Sequence, residues 1–189
     1  MPLFPLNTVL VPGGFLPLRI FEPRYLDMVR ECARNDNGFG VCLILSGGES
    51  GSPPEHVATG TLARIRDFHT LEDGLLGITA EGGELFRIES TRSRDNGLLL
   101  ATVQWETPVE QAEVPTHYLL LANIVAKFME KLSANYPSFH SQSLEDAAWV
   151  GFRLVELLPL RNLERQALLE LRDPLDRLQR LVEILPRFQ

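Results

Sequence analysis

Five prolines fall within the first 23 residues, at positions 2, 5, 12, 17 and 23, with a Gly13-Gly14 pair among them. Each proline fixes φ and removes a backbone donor, so none of the short apolar runs between them can be an interior helix or a long central strand. What remains is a series of short extended pieces with enforced turns, closed by an amphipathic segment that begins near Glu22. The same punctuation excludes two readings of an opening that carries no charged side chain before Arg19. A signal sequence needs a basic start and an unbroken apolar stretch, and a membrane span needs about twenty helix-compatible apolar residues. A soluble, cytoplasmic protein is expected.

Up to about Pro108 the chain reads as strands. GFGVCLIL (residues 38–45) is a continuous apolar run bounded by Asn37-Gly38 and Ser46-Gly47-Gly48. VATGTLARIRDF (residues 57–68) alternates, with Thr61, Ala63 and Ile65 on one face and Arg64 and Arg66 on the other. GLLGITA (residues 74–80) and ELFRIES (residues 84–90) are expected to form a hairpin through Gly82-Gly83, a pair that tolerates positive φ. Asn96-Gly97 marks a second turn before LLLATVQW (residues 98–105), whose Leu99, Ala101, Val103 and Trp105 share a face. One short helix is expected near residues 22–34. Such closely spaced strands indicate a small barrel or a sandwich. The segment at residues 46–56 reads as a mobile rim loop.

After Pro115 the period becomes helical. Tyr118, Leu121, Ile124, Val125, Phe128 and Leu132 form one stripe. A second helix is expected from Ser143, with Asp146 as capping-box partner, to Pro159. Ala147, Ala148, Gly151, Phe152, Val155 and Leu158 would be its buried side. A third spans Asn162 to Arg172. The fourth has Asp173 as N-cap and Pro174 at its first position, buries Leu175, Leu178, Val182 and Leu185, and stops at Pro186. The expected organisation is a β-rich unit over residues 1–108 and a bundle of about four helices over residues 109–189, divided within the acidic, proline-containing segment 106–116.

A net charge of −7 argues against generic binding to nucleic acid or anionic lipid. Cys32 and Cys42 follow no CxxC pattern and read as buried free thiols. His56, His69, His117 and His140 are too dispersed to suggest a metal site, so they read as surface or loop residues, and no metal or cofactor is expected. Arg19, Glu22 and Arg24 form a charged cluster with two readings: a ligand anchor, or a local Arg19–Glu22 pair at a helix start on Pro23.

The opening string LFPLNTVLVPGG-FLPLRIFEPRYLDMV (residues 3–29) resembles the start of the substrate-binding, amino-terminal domain of the Lon ATP-dependent protease family. The likeness continues in order through ATGTLARI (residues 58–65), GITAEGGELFRI (residues 77–88) and LLPLRNLERQALLELRDPLDRLQRLVEIL (residues 157–185). It implies an α+β architecture, a PUA-like β pseudobarrel followed by a helical bundle, and recognition of unfolded or extended polypeptide segments, or of a partner protein. On that barrel Phe15, Phe21, Arg24, Tyr25 and Phe68 are the candidate protein-binding residues. Because PUA-like barrels as a class include RNA-binding modules, Arg64, Arg66, Arg87, Arg92 and Arg94 define an alternative face for RNA or a nucleotide, although acidic residues are interleaved with them.

No catalytic machinery is expected. Sixteen of the eighteen cationic residues are arginines, and the two lysines, Lys127 and Lys131, precede Phe128 and Leu132. Neither belongs to the Gly-Lys-Ser/Thr of a phosphate-binding loop, nor is either placed for a Ser-Lys dyad. The expectation is a stand-alone, non-catalytic recognition domain that lacks the ATPase and protease modules of the complete family members.

Overall fold

The structure, a computed structural model, describes residues 1–51, 53–107, 112–132 and 141–188. It divides into two compact units, Met1–Thr107 and Pro108–Gln189. The architecture is α+β. His140 and residues 108–111 of the acidic connecting segment lie outside the described residues.

In the first unit the elements run β1 (Leu3–Leu6), β2 (Phe15–Ile20), α1 (Pro23–Asn35), β3 (Phe39–Ser46), β4 (Glu55–His56), β5 (Thr59–Thr70), β6 (Leu76–Ser93) and β7 (Leu99–Trp105). β1 pairs in parallel with β3, and β3–β5, β5–β6 and β6–β7 are antiparallel. The ring closes where Pro2 meets Leu100 and the Ala101 N–H donates to the Met1 carbonyl at 2.8 Å. β2 stands apart from this ring. It pairs with β6 over residues 76–81, while β7 pairs with β6 over residues 86–93. One edge of β6 thus carries two successive neighbours.

That arrangement corrects the expected hairpin at Gly82-Gly83. β6 runs unbroken through both glycines, and neither has positive φ. Gly82 is needed for proximity: its N–H donates to the Gly14 carbonyl at 2.8 Å, and its own carbonyl accepts from the Gly13 N–H at 2.7 Å. A Cβ built there would lie 2.1 Å from the Val11 carbonyl oxygen. The Asn96-Gly97 turn does use positive φ, with Gly97 at 82° and the Leu98 N–H bonded to Asn96 Oδ1 at 3.1 Å.

α1 starts on Pro23, where the missing N–H costs nothing, and ends with Asp36 in the left-handed region. Its buried face, Tyr25, Met28, Val29 and Cys32, packs among Phe4, Leu6, Leu10, Ile20, Phe39, Val41 and Ile78. The helix therefore supplies part of the barrel's core. A second cluster, Leu3, Phe86, Leu99 and Ala101, occupies the other side of β1. Cys32 and Cys42 are buried free thiols.

The second unit holds α2 (Leu119–Leu132), α3 (Ala147–Leu157), α4 (Asn162–Glu170) and α5 (Pro174–Ile184). Asp146 is the N-cap of α3, not its third residue: its Oδ1 accepts from the Ala148 and Trp149 N–H groups, and a bridge to Glu113 keeps it extended. The preceding residues Ser141–Glu145 form a 3-10 turn instead. In α5 Asp173 caps as expected, accepting from the Leu175 N–H at 2.8 Å. Its buried face is rotated from the expected one, to Arg177, Leu178, Leu181 and Ile184, leaving Val182 exposed. Arg177 causes the rotation. Its guanidinium donates to the carbonyls of Leu168 (2.9 Å) and Leu171 near the end of α4 and lies 3.9 Å over the Phe152 ring. Likewise α2 buries Met129 in place of Phe128. No helix among the described residues is long and apolar enough to cross a membrane.

The two glycines of β6 should separate cleanly on mutation. Gly82→Ala forces a side chain into the Val11 backbone and should cost about 3 kcal/mol. Gly83→Ala, with nothing nearer than 3.6 Å, should stay within about 0.5 kcal/mol. Urea unfolding of both variants checks this, and equal destabilisation would contradict it.

Candidate functional site

Because β1 joins β7 only at its first residues, the rest of β1 faces β2 with no ladder between the two strands. A cleft of about 300 Å³ occupies that gap. Phe4 and Leu6 line it from β1, Leu16, Pro17 and Leu18 from β2, and Tyr25 from α1. Phe21, 55% exposed, stands at its mouth. β2 is an edge strand, and Pro17 explains part of its isolation, since it has no N–H to offer a neighbour. The cleft thus has apolar faces from β1 and β2, a polar rim that includes Thr8, Arg19, Glu22 and Glu49, and a border of strand backbone.

Arg24 builds its far wall. The side chain is buried, yet its Nη1 donates to the carbonyls of Gly51 (2.9 Å) and Gly97 (3.2 Å), and its Nη2 reaches the Glu49 carbonyl at 3.4 Å. Nη2 also pairs with Glu22 at 3.0 Å, while Nε–H has no acceptor among the described residues. The segment expected to be a mobile loop is therefore tethered at residues 49–51, and the Asn7 N–H donates to Glu49 Oε1 at 2.7 Å. The anticipated Arg19–Glu22 pair does not form: Arg19 bridges to Asp73 and Glu22 to Arg24.

The Tyr25 ring is held between neighbours, stacked on Phe4 at 3.9 Å between centroids with the Arg24 guanidinium 4.7 Å from its centre. Burial pushes its phenol up to about 12; Arg24 opposes the shift, and the nearby Glu22 and Glu49 carboxylates reinforce it. Burial likewise raises Cys32 to about 11 and Cys42 to about 12, so both thiols are poor nucleophiles in the fold.

Of the five residues expected to grip polypeptide, Phe21 and Tyr25 meet at this cleft, and Arg24 lies beneath its wall as a strut rather than a surface contact. Phe15 is paired with Glu81 at the opposite end of β2, and Phe68, on β5 opposite Ile78, is exposed outside the cleft. Sequence reasoning missed Leu16 and Leu18. Their signal was available, as two leucines flanking a proline mark an edge strand with one apolar face.

The arginine face is largely neutralised. Arg64 pairs with Glu84 at 2.9 Å, Arg66 with Glu81, and Arg94 with Glu31 at 2.7 Å. The Arg94 hydrogen bond holds the Glu31 carboxyl below its usual range. Arg87 and Arg92 are exposed on β6 with no ion pair among the described residues. In the helical unit a depression of about 390 Å³ between α4 and α5 mixes Glu164, Asp176 and Glu183 with Arg180 and Arg187. Glu164 there is already bridged by Arg187 and Arg161. Lys127 and Lys131 are exposed on α2, and no cluster of metal-ligating side chains occurs among the described residues.

A mixed β ring with an open cleft, together with the five helices among the described residues, defines an α+β domain of the PUA-like barrel class. The chain belongs to the ATP-dependent protease La (LON) substrate-binding domain family, whose model matches residues 1–187. Lon protease 2 of Myxococcus xanthus is 25% identical over 197 residues, 99% of this chain and 23% of that protein. Protein cereblon of Danio rerio is 32% identical over 108 residues, 55% of this chain and 25% of its own length. The chain thus spans about a quarter of these curated relatives. Among solved structures, a Lon N-terminal domain protein from Xanthomonas campestris is 42% identical with a TM-score of 0.80, covering 97% of this chain and 96% of that one. The N-terminal domain of a Mycobacterium avium complex Lon protease shares the fold at 16% identity and a TM-score of 0.67, covering 96% of this chain and 95% of its own.

Two measurements follow from Arg24 and Tyr25. Arg24→Met removes the shared donor of the Glu49, Gly51 and Gly97 carbonyls and leaves the largely buried Glu22 carboxylate unpaired, and should cost about 3 kcal/mol, with hydrogen exchange rising at residues 49–51 and 96–98 before α1. The alkaline limb concerns the phenol and thiols. Their folded pKa values lie above the ordinary 10 and 9, so their contribution is intact below pH 9 and is lost as pH rises toward 12. Tyr25→Phe should remove the part of this decline that begins at pH 10, as read by urea unfolding across the range.

Proposed function

We propose that the barrel captures extended, apolar polypeptide segments in the β1–β2 cleft, and that it does so without chemistry. The observation carrying this reading is the unfilled gap between two strands, lined by Phe4, Leu6, Leu16, Leu18 and Tyr25. An extended segment entering the gap lies against the outer edge of β2, where strand addition supplies main-chain hydrogen bonds while alternate side chains enter the apolar lining. A cleft of this size takes two or three such side chains, each contributing about 1.5–3 kcal/mol on full burial. Association and ordering costs offset much of that gain, which places the affinity in the micromolar range. The family's description, which names substrate binding, supports the same reading.

Recognition by apolar contact and backbone makes two demands. Binding must tolerate salt, and it must depend on cleft residues rather than on the arginines of β5. Fluorescence anisotropy with a labelled peptide of alternating Val and Leu should show micromolar binding that changes little up to about 0.5 M salt. Leu18→Glu should weaken it at least about tenfold by placing a charge against the apolar lining, with the peptide recovered uncleaved. Arg64→Ala combined with Arg66→Ala should leave it unchanged. Peptide affinity indifferent to Leu18→Glu would sink the proposal, and so would tight, salt-sensitive retention of RNA abolished by the double arginine variant.

A further inference from the structure

We propose that residues 47–51 form a strap at the Leu6 end of the cleft, in which the Glu49 carboxylate competes with an entering segment for the same backbone donor. The strap rests on the cleft reading above and adds regulation of that site.

Strand alternation makes such a donor scarce. The Gly40 N–H of β3 donates to the Pro2 carbonyl, whereas Met1 exchanges bonds with Ala101 in both directions on the other side. Odd-numbered residues of β1 therefore turn their backbone groups away from β3, first toward β7 and then toward the gap. On β2 the Gly14 carbonyl accepts from the Gly82 N–H, which leaves the odd-numbered residues facing the gap. The middle odd position of each strand is a proline, Pro5 in β1 and Pro17 in β2, and neither has an N–H to give. The two edges therefore oppose carbonyls without donors at their midpoints, and they cannot zip together there. Asn7 follows β1 on the same alternation, and its N–H is a donor on that edge. It is already taken: Glu49 Oε1 accepts from it at 2.7 Å.

Glu49 and Ser50 line the cleft together with Leu6 and Thr8. On the α1 side, Arg24 Nη1 donates to the Gly51 carbonyl at 2.9 Å and Nη2 to the Glu49 carbonyl at 3.4 Å. Gly47 and Gly51 bracket the strap at φ of 96° and 88°, and a glycine leaves such a conformation at little steric cost. Backbone anchors thus fix the strap to the helix, while the Glu49 side chain reaches across to the end of β1. Glu49 and Asn7 are both exposed, so water replaces the lost bond when the contact opens. A carbonyl of the entering segment then takes the Asn7 N–H, and the carboxylate returns to solvent. Only the open form binds, so apparent affinity falls with the fraction of molecules that are open.

The test follows association of the labelled Val and Leu peptide by stopped-flow anisotropy, with hydrogen exchange read at Asn7. Glu49→Ala should raise the association rate and the affinity about fivefold, with the dissociation rate unchanged. Glu49→Asp keeps the charge but falls one methylene short of Asn7, and should match Glu49→Ala. Glu49→Gln keeps both the reach and an acceptor oxygen, and should stay closest to the native chain. The Asn7 amide should exchange slowly in the free native chain, quickly in free Glu49→Ala, and slowly again once that variant holds peptide. Affinity unchanged or lowered in Glu49→Ala, with Leu18→Glu still weakening binding, overturns the strap and leaves the cleft reading intact. An Asn7 amide that stays unprotected in the peptide-bound variant overturns it as well. Failure of both the native chain and Glu49→Ala to bind the peptide removes the cleft reading, and the strap with it.

Discussion

β6 has two different partners along one edge, and the barrel depends on that division. Over its first half the edge is taken by β2 and over its second half by β7, while β5 runs along the opposite edge over residues 76–87 and overlaps β7 only at Phe86 and Arg87. Only β7 reaches the amino-terminal strand and closes the ring. β2 therefore ends up across a gap from β1, and the cleft follows from this mismatch rather than from any local loop. The constraint is held at Gly82, where the β6 backbone and the Val11–Gly14 turn approach more closely than any side chain permits. Had the chain reversed at the glycine pair, β6 would be two short strands and neither closure nor gap would result.

Buried arginines organise both units by the same physics. Arg24 and Arg177 sit in low-dielectric surroundings, where an unpaired charge is costly, and each donates to backbone carbonyls from separate segments of the chain. Each also lies against an aromatic ring, Tyr25 in one case and Phe152 in the other. A planar guanidinium with five donors can serve several acceptors at once, which a lysine ammonium does less well. This gives a physical sense to a cation content dominated by arginine. It also explains why Arg24, though beside the cleft, acts by shaping its wall.

The cleft is coherent as a recognition surface because its parts come from elements with different duties. β1 and β2 contribute apolar side chains on strand edges, α1 contributes a clamped tyrosine, and the tethered 49–51 segment contributes an acidic rim. The opposing candidate, the arginine face, lacks this convergence: three of its five members are neutralised by carboxylates on neighbouring elements. Net negative charge over the whole chain points the same way.

Local chemistry was legible in the residues themselves. Pro23 and Asp173-Pro174 announce helix starts because their backbone constraints act within one turn, and Asn96-Gly97 announces a turn because positive φ is a property of the residue. The apolar runs that became β3, β5 and β7 and the two buried thiols could be read for similar reasons. What only the tertiary structure decided were matters of distant partners: whether Gly82 serves a turn or a close approach, which face of α5 turns inward around Arg177, and whether Asp146 caps or follows a cap. The cleft belongs to this second group. It is made of residues as ordinary as Leu16 and Leu18, and nothing short of the pairing of β2 with β6 and of Pro2 with Leu100 places them opposite Phe4 and Leu6. Conformational preference is carried by neighbours in the chain, whereas a gap between strands exists only once long-range hydrogen bonds have chosen which edges remain unpaired.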